Sequence, residues 1–394
     1  MADINVSAAL TEMGIEISRK QIPVDCPACG KSKRMLKCYI GAQNGLWNCF
    51  SCGEKGDIYK FKSLREGISY EQAKTAIKTH QEGMPVASPK ETESLFKEKP
   101  HADARATDKT LRKFASHLPL TKRHYQMLKE RGFSDSAIEF YEFFSFPEQE
   151  NMSYNERQTL NNLPSLLKNE GCQLDGVEPF YPNPSKDHEF SINWPKIGSG
   201  KTWHTGGIGI PQKSFSGAWH GIQIRFDDEY IEDIKVKEGE EKVPKCKWLT
   251  SSNKEGGVSP DTSVHYATHF KDGKAVLGKK LLITEGGMKA DLIHDLQRSW
   301  PIISIAGVNA TKGFNSTLSL LKTNGVTDII DCFDMDYVTN EKVAAARERL
   351  KQMIIKAGLK YHLAEWSTKT EDGTDCLKGL DDFLAYRKKG IKRS

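Results

Sequence analysis

The sequence predicts an α/β chain, α+β overall, in three parts: a small cysteine-held β unit, a mixed α+β lobe and a domain built on a parallel sheet. Three observations carry this. Two Cys-x-x-Cys pairs stand at or before residue 52. Residues 175–270 read as short strands rich in Gly, Pro and Trp, such as Gly207-Ile-Gly-Ile-Pro211 and Gly221-Ile-Gln-Ile-Arg-Phe226. From residue 280 onward, apolar strand runs alternate with helix-like stretches, the pattern of βαβ units whose ligands gather at strand C-terminal ends.

Composition narrows the classes. At 394 residues the chain exceeds one ordinary core, and 38% hydrophobic content excludes wholesale disorder. No apolar run approaches the ~20 residues that span a bilayer, and the N-terminus lacks a basic stretch followed by an apolar one. A cytoplasmic protein with no membrane partner is therefore expected. Nine cysteines without an export signal favour metal binding or buried thiols over a disulfide framework. A net charge of +5 permits nucleic acid as a partner.

Residues 1–82 form the first expected domain. Cys26-Pro-Ala-Cys29-Gly30 and Cys49-Phe-Ser-Cys52-Gly53 have nineteen residues between the pairs. Four thiolates so spaced suit a tetrahedral ion, and a zinc ribbon is the simplest reading. Gly30 and Gly53 let the chain turn after each knuckle. Residues 35–50 read as β segments around the turn Gly41–Gly45. A helix is expected from about Asp57 and another from Ser69, because Ser69-Tyr-Glu-Gln72 fits a capping box. Lys31, Lys33, Arg34 and Lys37 stand beside Tyr39, Trp47 and Phe50. Basic groups track a phosphate backbone and aromatic faces stack on bases, so Lys33, Arg34 and Trp47 are candidate nucleic-acid contacts. The other reading is a small domain that buries its aromatics and solvates its lysines.

Residues 83–108 are poor in large apolar residues and read as a linker. The lobe 109–278 follows, helical over 109–145 by the spacing of Leu111, Phe114 and Leu118, then Tyr125 and Leu128, then Ile138, Tyr141 and Phe144. Gly198-Ser-Gly-Lys-Thr202 ends like a phosphate loop, but Pro195 stands where its first glycine belongs, so no ATP-driven motor is visible. Residues 279–386 make the parallel-sheet domain, with strands at Lys280–Thr284, Pro301–Ile305 and Val326–Phe333. A basic tail occupies 387–394.

The chemistry is expected in that last domain. Glu285 follows the strand Leu-Leu-Ile-Thr, and Asp334-Met-Asp336 follows the strand Ile-Ile-Asp-Cys-Phe. Both fall at C-terminal ends of parallel strands, so one cleft can hold the three carboxylates. Hard oxygen donors suit Mg²⁺ or Mn²⁺, ions that clamp the oxygens of phosphoryl transfer. Asp331 faces away from the Asp334 side if the strand alternates.

These residues resemble a family. Glu285-Gly286 and Asp334-Met-Asp336 look like the two signatures of the TOPRIM domain of bacterial-type primases, topoisomerases and some nucleases. Cys26-Pro-Ala-Cys29-Gly30 and the run from Cys49 to Asp57 resemble the zinc ribbon of bacterial and phage primases. Lys247-Trp-Leu-Thr-Ser251 and Gly221-Ile-Gln-Ile-Arg-Phe226 resemble strands lining the primase cleft. The arrangement over 200–386 is most similar to plasmid- and phage-borne primase-like proteins with a variant TOPRIM domain. The resemblance implies a DNA primase, a nucleotidyltransferase that copies single-stranded DNA into short RNA primers from nucleoside triphosphates. It implies Glu285, Asp334 and Asp336 as catalytic acids holding Mg²⁺ or Mn²⁺, with Asp381 as a looser match to the last acid. Arg225 and Lys247 would contact nucleotide or template, and a replicative helicase would act in trans. Lys289 departs from the pattern: many relatives place an acid there, and the nearest acid here, Asp291, points elsewhere on a helix. Lys289 is expected to contact a phosphate instead. A TOPRIM nuclease, or a non-catalytic single-strand-binding recruitment module, are the alternatives.

Overall fold

A computed structural model describes residues 5–17, 21–35, 37–42, 44–80, 99–183, 189–199, 202–238, 243–297, 300–307, 313–335 and 341–391. Two compact units emerge, Met1–Glu98 and Lys99–Ser394. Of the stretch read as a linker, 83–98 lie outside the described residues, as do 392–394 of the basic tail. Among the described residues, no helix is long and apolar enough to cross a membrane.

The first unit opens with α1 (Val6–Glu12), followed by the antiparallel strands β1 (Gln21–Pro23), β2 (Cys38–Gly41), β3 (Trp47–Cys49) and β4 (Lys55–Gly56), paired in that order. Within the stretch 35–50 expected as β, strand structure starts only at Cys38. Lys33–Met35 instead form a 3₁₀ turn, held where the Lys33 N–H donates to Asp25 Oδ1. Asp57 caps α2 (Ile58–Glu66) by accepting from the Lys60 N–H at 2.9 Å. The reciprocal capping box opens α3 (Tyr70–His80): Ser69 Oγ accepts from the Gln72 N–H, and Gln72 Oε1 from the Ser69 N–H. Leu10, Ile22, Ile40, Trp47, Ile58 and Phe61 form the core.

The second unit begins with α4 (Ala104–Ser116), capped by Asp103. It starts inside the presumed linker because Thr107, Thr110, Leu111 and Phe114 present one buried face. α5 (Lys122–Arg131) and α6 (Asp135–Tyr141) follow. Helix expected to 145 stops at Tyr141, because Glu142 adopts φ 61°. Phe144 belongs to β5 (Phe144–Phe146). After α7 (Tyr154–Asn169) come β6 (Gly207–Lys213), β7 (Trp219–Phe226), α8 (Asp228–Glu238) and β8 (Cys246–Trp248). These strands form an antiparallel sheet in the order β8-β7-β6-β5. One face, with Ile222, Ile224 and Phe226, packs on Phe114 and Leu167. The other, with Ile208 and Ile210, packs on the next layer.

That layer is a five-stranded sheet. β9 (His265–Ala267), β10 (Lys280–Glu285), α9 (Gly287–Leu296), β11 (Ile302–Ile305), α10 (Phe314–Thr323), β12 (Asp328–Asp331), α11 (Glu341–Lys356) and β13 (Lys360–Leu363) lead to α12 (Leu380–Ile391). The strand order is β9-β11-β10-β12-β13, parallel except for the edge strand β9. Leu281 and Ile283 face one core and Leu282 the other, as a parallel strand covered on both sides requires. Helix α12 absorbs Arg387 and Lys388 of the expected tail and packs on α9. The whole is a mixed α+β fold.

Candidate functional site

The four knuckle cysteines converge. Their sulfur atoms all lie within 4.8 Å of one another, with Cys26–Cys52 at 3.8 Å and Cys29–Cys49 at 3.9 Å. A tetrahedron of ~2.3 Å zinc–sulfur bonds has edges of ~3.8 Å, so the cluster fits structural zinc. Each knuckle closes through its glycine: the Gly30 N–H donates to the Cys26 carbonyl and the Gly53 N–H to that of Cys49. Burial pushes the Cys26 thiol up. Burial acts likewise on Cys49, yet the Cys52 and Ser51 N–H groups outweigh it and bring Cys49 down to about 7.

The ribbon's aromatics divide. Trp47, expected as a nucleic-acid contact, is 2% exposed and packs edge-on against Phe61 at 5.5 Å. Alternation along β3 explains this, since Trp47 shares the inward face with Cys49. Phe50, just past the strand, is 71% exposed, with Tyr39 edge-on at 6.3 Å. Lys31, Lys33 and Arg34 are exposed.

In the second unit, Glu285 ends β10, and the chain turns into α9 at Gly286, whose φ of 80° suits glycine. Asp334 lies three residues beyond β12. Asp336 lies outside the described residues. Asp381, on the first turn of α12, comes close to Asp334: a β-carbon at Gly379 would fall 2.2 Å from Asp381 Oδ1 and 3.3 Å from Asp334 Oδ1. Only glycine leaves that space open. Asp381 is 0% exposed; its Oδ2 accepts from Arg131 Nη2 at 3.1 Å, while Oδ1 is buried with no hydrogen-bond partner among the described residues. An orphaned carboxylate oxygen beside a second carboxylate suits a hard cation.

Lys289, expected to await a phosphate, instead reaches Asp334. Its Nζ donates to Oδ1 at 2.6 Å and Oδ2 at 2.5 Å. Burial works against its charge, but Asp334, Asp381 and Glu285 prevail and raise the amine, which stays an ammonium. Asp291 is turned away from the cleft and accepts from His265 Nε2 at 2.9 Å.

Sequence reasoning set Asp331 aside, yet it anchors the Asp334 turn. Buried Asp331 accepts from Arg347 at 2.7 and 3.0 Å, from the Tyr361 hydroxyl at 2.6 Å and from the Phe333 N–H. Arg347 Nη1 also donates to the Asp334 carbonyl at 3.3 Å. The available signal was an acid inside an apolar strand, which requires a buried partner.

The register of β7 and β8 separates two expected phosphate contacts. Arg225 pairs with Cys246 and Lys247 with Ile224, so Arg225 and Lys247 project from opposite faces. Lys247 is turned from the Arg225 side, its Nζ donating to the Lys196 carbonyl at 2.6 Å. Arg225 is held by Asp228 at 2.9 and 3.0 Å. Arg131, which the motifs did not flag, meets the acids through Asp381 Oδ2.

The family described as a domain of unknown function (DUF3854) matches residues 275–390, the parallel-sheet segment and α12. A DNA primase of Thermotoga maritima is 28% identical over 146 residues, which is 36% of this chain and 24% of the relative. The match therefore spans about a quarter of that relative. The chain is similar to bacterial and phage DNA primases. Among solved structures, the zinc-binding and RNA polymerase domains of Aquifex aeolicus primase are 14% identical with a TM-score of 0.45, over 99% of this chain and 82% of that one. The RNA polymerase domain of Mycobacterium tuberculosis primase, in complex with a double-stranded DNA oligomer with an overhang, gives 14%, 0.43, 75% and 81%. The primase fragment of the bacteriophage T7 primase-helicase gives 12%, 0.33, 94% and 98%.

Proposed function

We propose that this chain is a DNA primase of the bacterial and phage type, with a TOPRIM catalytic domain, serving plasmid or phage replication. It makes short RNA primers on single-stranded DNA by nucleotidyl transfer. The observation that carries the reading is the cleft: Asp334 and Asp381 converge beside Glu285 and Lys289, Asp381 Oδ1 has no hydrogen-bond partner among the described residues, and Arg131 stands alongside.

Mg²⁺ or Mn²⁺, were it bound by these carboxylates, would supply charge neutralisation for a triphosphate and for the primer 3′-oxygen that attacks it. Asp336 is proposed to join the set. The other roles fall to the chain itself. Arg225 and Arg131 bind phosphates of nucleotide or template, as charge-assisted donors do best. Arg347, through Asp331, holds the turn that presents Asp334. Lys33 and Arg34 grip the template backbone while Phe50 and Tyr39 offer stacking faces. Zinc keeps the ribbon folded. We further propose that the protein works beside a replicative helicase in the cytoplasm.

The Lys289–Asp334 pair favours a second reading, a single-strand-binding recruitment module, because it neutralises one of the acids. One assay separates the readings. Purified protein, mixed-sequence single-stranded DNA, nucleoside triphosphates and Mg²⁺ or Mn²⁺ should yield short RNA, lost in Asp334→Ala while template binding survives. Cleavage alone indicates a nuclease. Template binding without synthesis in either metal indicates the module.

A further inference from the structure

The acidic cluster already contains a cation, and it belongs to the chain. Lys289 Nζ touches both oxygens of Asp334, at 2.6 and 2.5 Å, and each side chain is only 24% exposed. A donor that spans both oxygens fills the position from which a chelating ion would bind the same carboxylate. An ion at ~2.0–2.1 Å from those oxygens would have to expel the ammonium. Asp381 differs. Arg131 takes its Oδ2, and Oδ1, beside the space over Gly379 near Asp334 Oδ1, has no partner among the described residues. One position is filled and one is open.

We propose that Lys289 is a tethered cation occupying one of two ion positions in this cluster, so that the chain takes a single divalent ion, at the Asp381 Oδ1 side. Lys289 is thereby a positioning residue. It keeps Asp334 in place before any ion arrives and sets how many ions enter.

The proposal rests on the cleft of the primase reading, but its test counts ions rather than primers, so the two fail separately. Mn²⁺ is titrated into the zinc-loaded full chain, and free Mn²⁺ is read by electron paramagnetic resonance. Wild type should bind one ion in the cleft. Lys289→Gln should bind a second, and its unfolding midpoint should rise on adding Mn²⁺ by more than that of wild type, because ions now compensate an Asp334 left unpaired. Lys289→Arg keeps the charge and should keep the count at one. Gly379→Ala places a methyl group in the open position and should lose the ion while the Lys289–Asp334 pair persists; it remains decisive if Lys289→Gln fails to fold. Two ions or none in wild type, an unchanged count in Lys289→Gln, or undiminished binding in Gly379→Ala would each overturn the proposal.

Discussion

Replacing Arg347 with methionine tests what holds the Asp334 turn. Arg347 and Asp331 are both buried. The guanidinium makes bonds of 2.7 and 3.0 Å to the Asp331 carboxylate and one of 3.3 Å to the Asp334 carbonyl. Removing one partner of a buried pair leaves an uncompensated charge, which costs ~3–5 kcal/mol. Asp331 retains two donors, the Tyr361 hydroxyl at 2.6 Å and the Phe333 N–H at 3.0 Å. The expected loss therefore falls at the low end, about 3 kcal/mol. With a urea slope of ~3 kcal/mol per molar, the unfolding midpoint of the larger unit should drop by about 1 M. The two residues should also couple. In Asp331→Leu/Arg347→Met no charge is left behind, so the double variant should be more stable than Arg347→Met alone. Urea unfolding followed by tryptophan fluorescence reads both results. A drop under ~0.3 M, or a double variant as weak as the two single losses added together, would refute the reasoning.

Three further outcomes are expected. Phe50→Ala should weaken single-stranded DNA binding with little change in ribbon stability, whereas Trp47→Ala should cost ~3–5 kcal/mol of stability through the cavity it leaves; fluorescence anisotropy and thermal unfolding separate the two. The protein should carry about one ribbon zinc by elemental analysis, and Cys49→Ala should lose it and unfold the first unit while the second melts unchanged. Burial holds the Glu178 carboxyl up at about 7, opposed by the Asp261 N–H. An acid raised on folding stabilises the native state below its unfolded value of ~4.3, and that stability is lost as pH rises toward 7. Glu178→Gln keeps an acceptor for the Asp261 N–H without the charge. It should match wild type near pH 4 and gain on the order of 3–4 kcal/mol over it at pH 8, measured by urea unfolding at each pH. A constant difference across that range would count against the burial argument.

Local features were legible in the sequence because they depend on spacing along one stretch of backbone. The two knuckles each need only a tight turn. The Ser69–Gln72 capping box needs one helical turn. The alternation after residue 280 places Glu285 at a strand end and Asp334 just beyond one, whatever packs above them. Elsewhere tertiary structure decided. Trp47 went inward because β3 had to present Cys49 on that face, and the neighbouring Phe50 is the aromatic left exposed. Lys247 went to the far face because of its register against β7, which a residue's identity does not encode. Lys289 found Asp334 from 45 residues away, and Arg131 found Asp381 across 250. A basic side chain in a sequence has many possible acids. Which one it meets follows from how the layers pack, because a charge drawn out of water must take the partner that packing brings within reach.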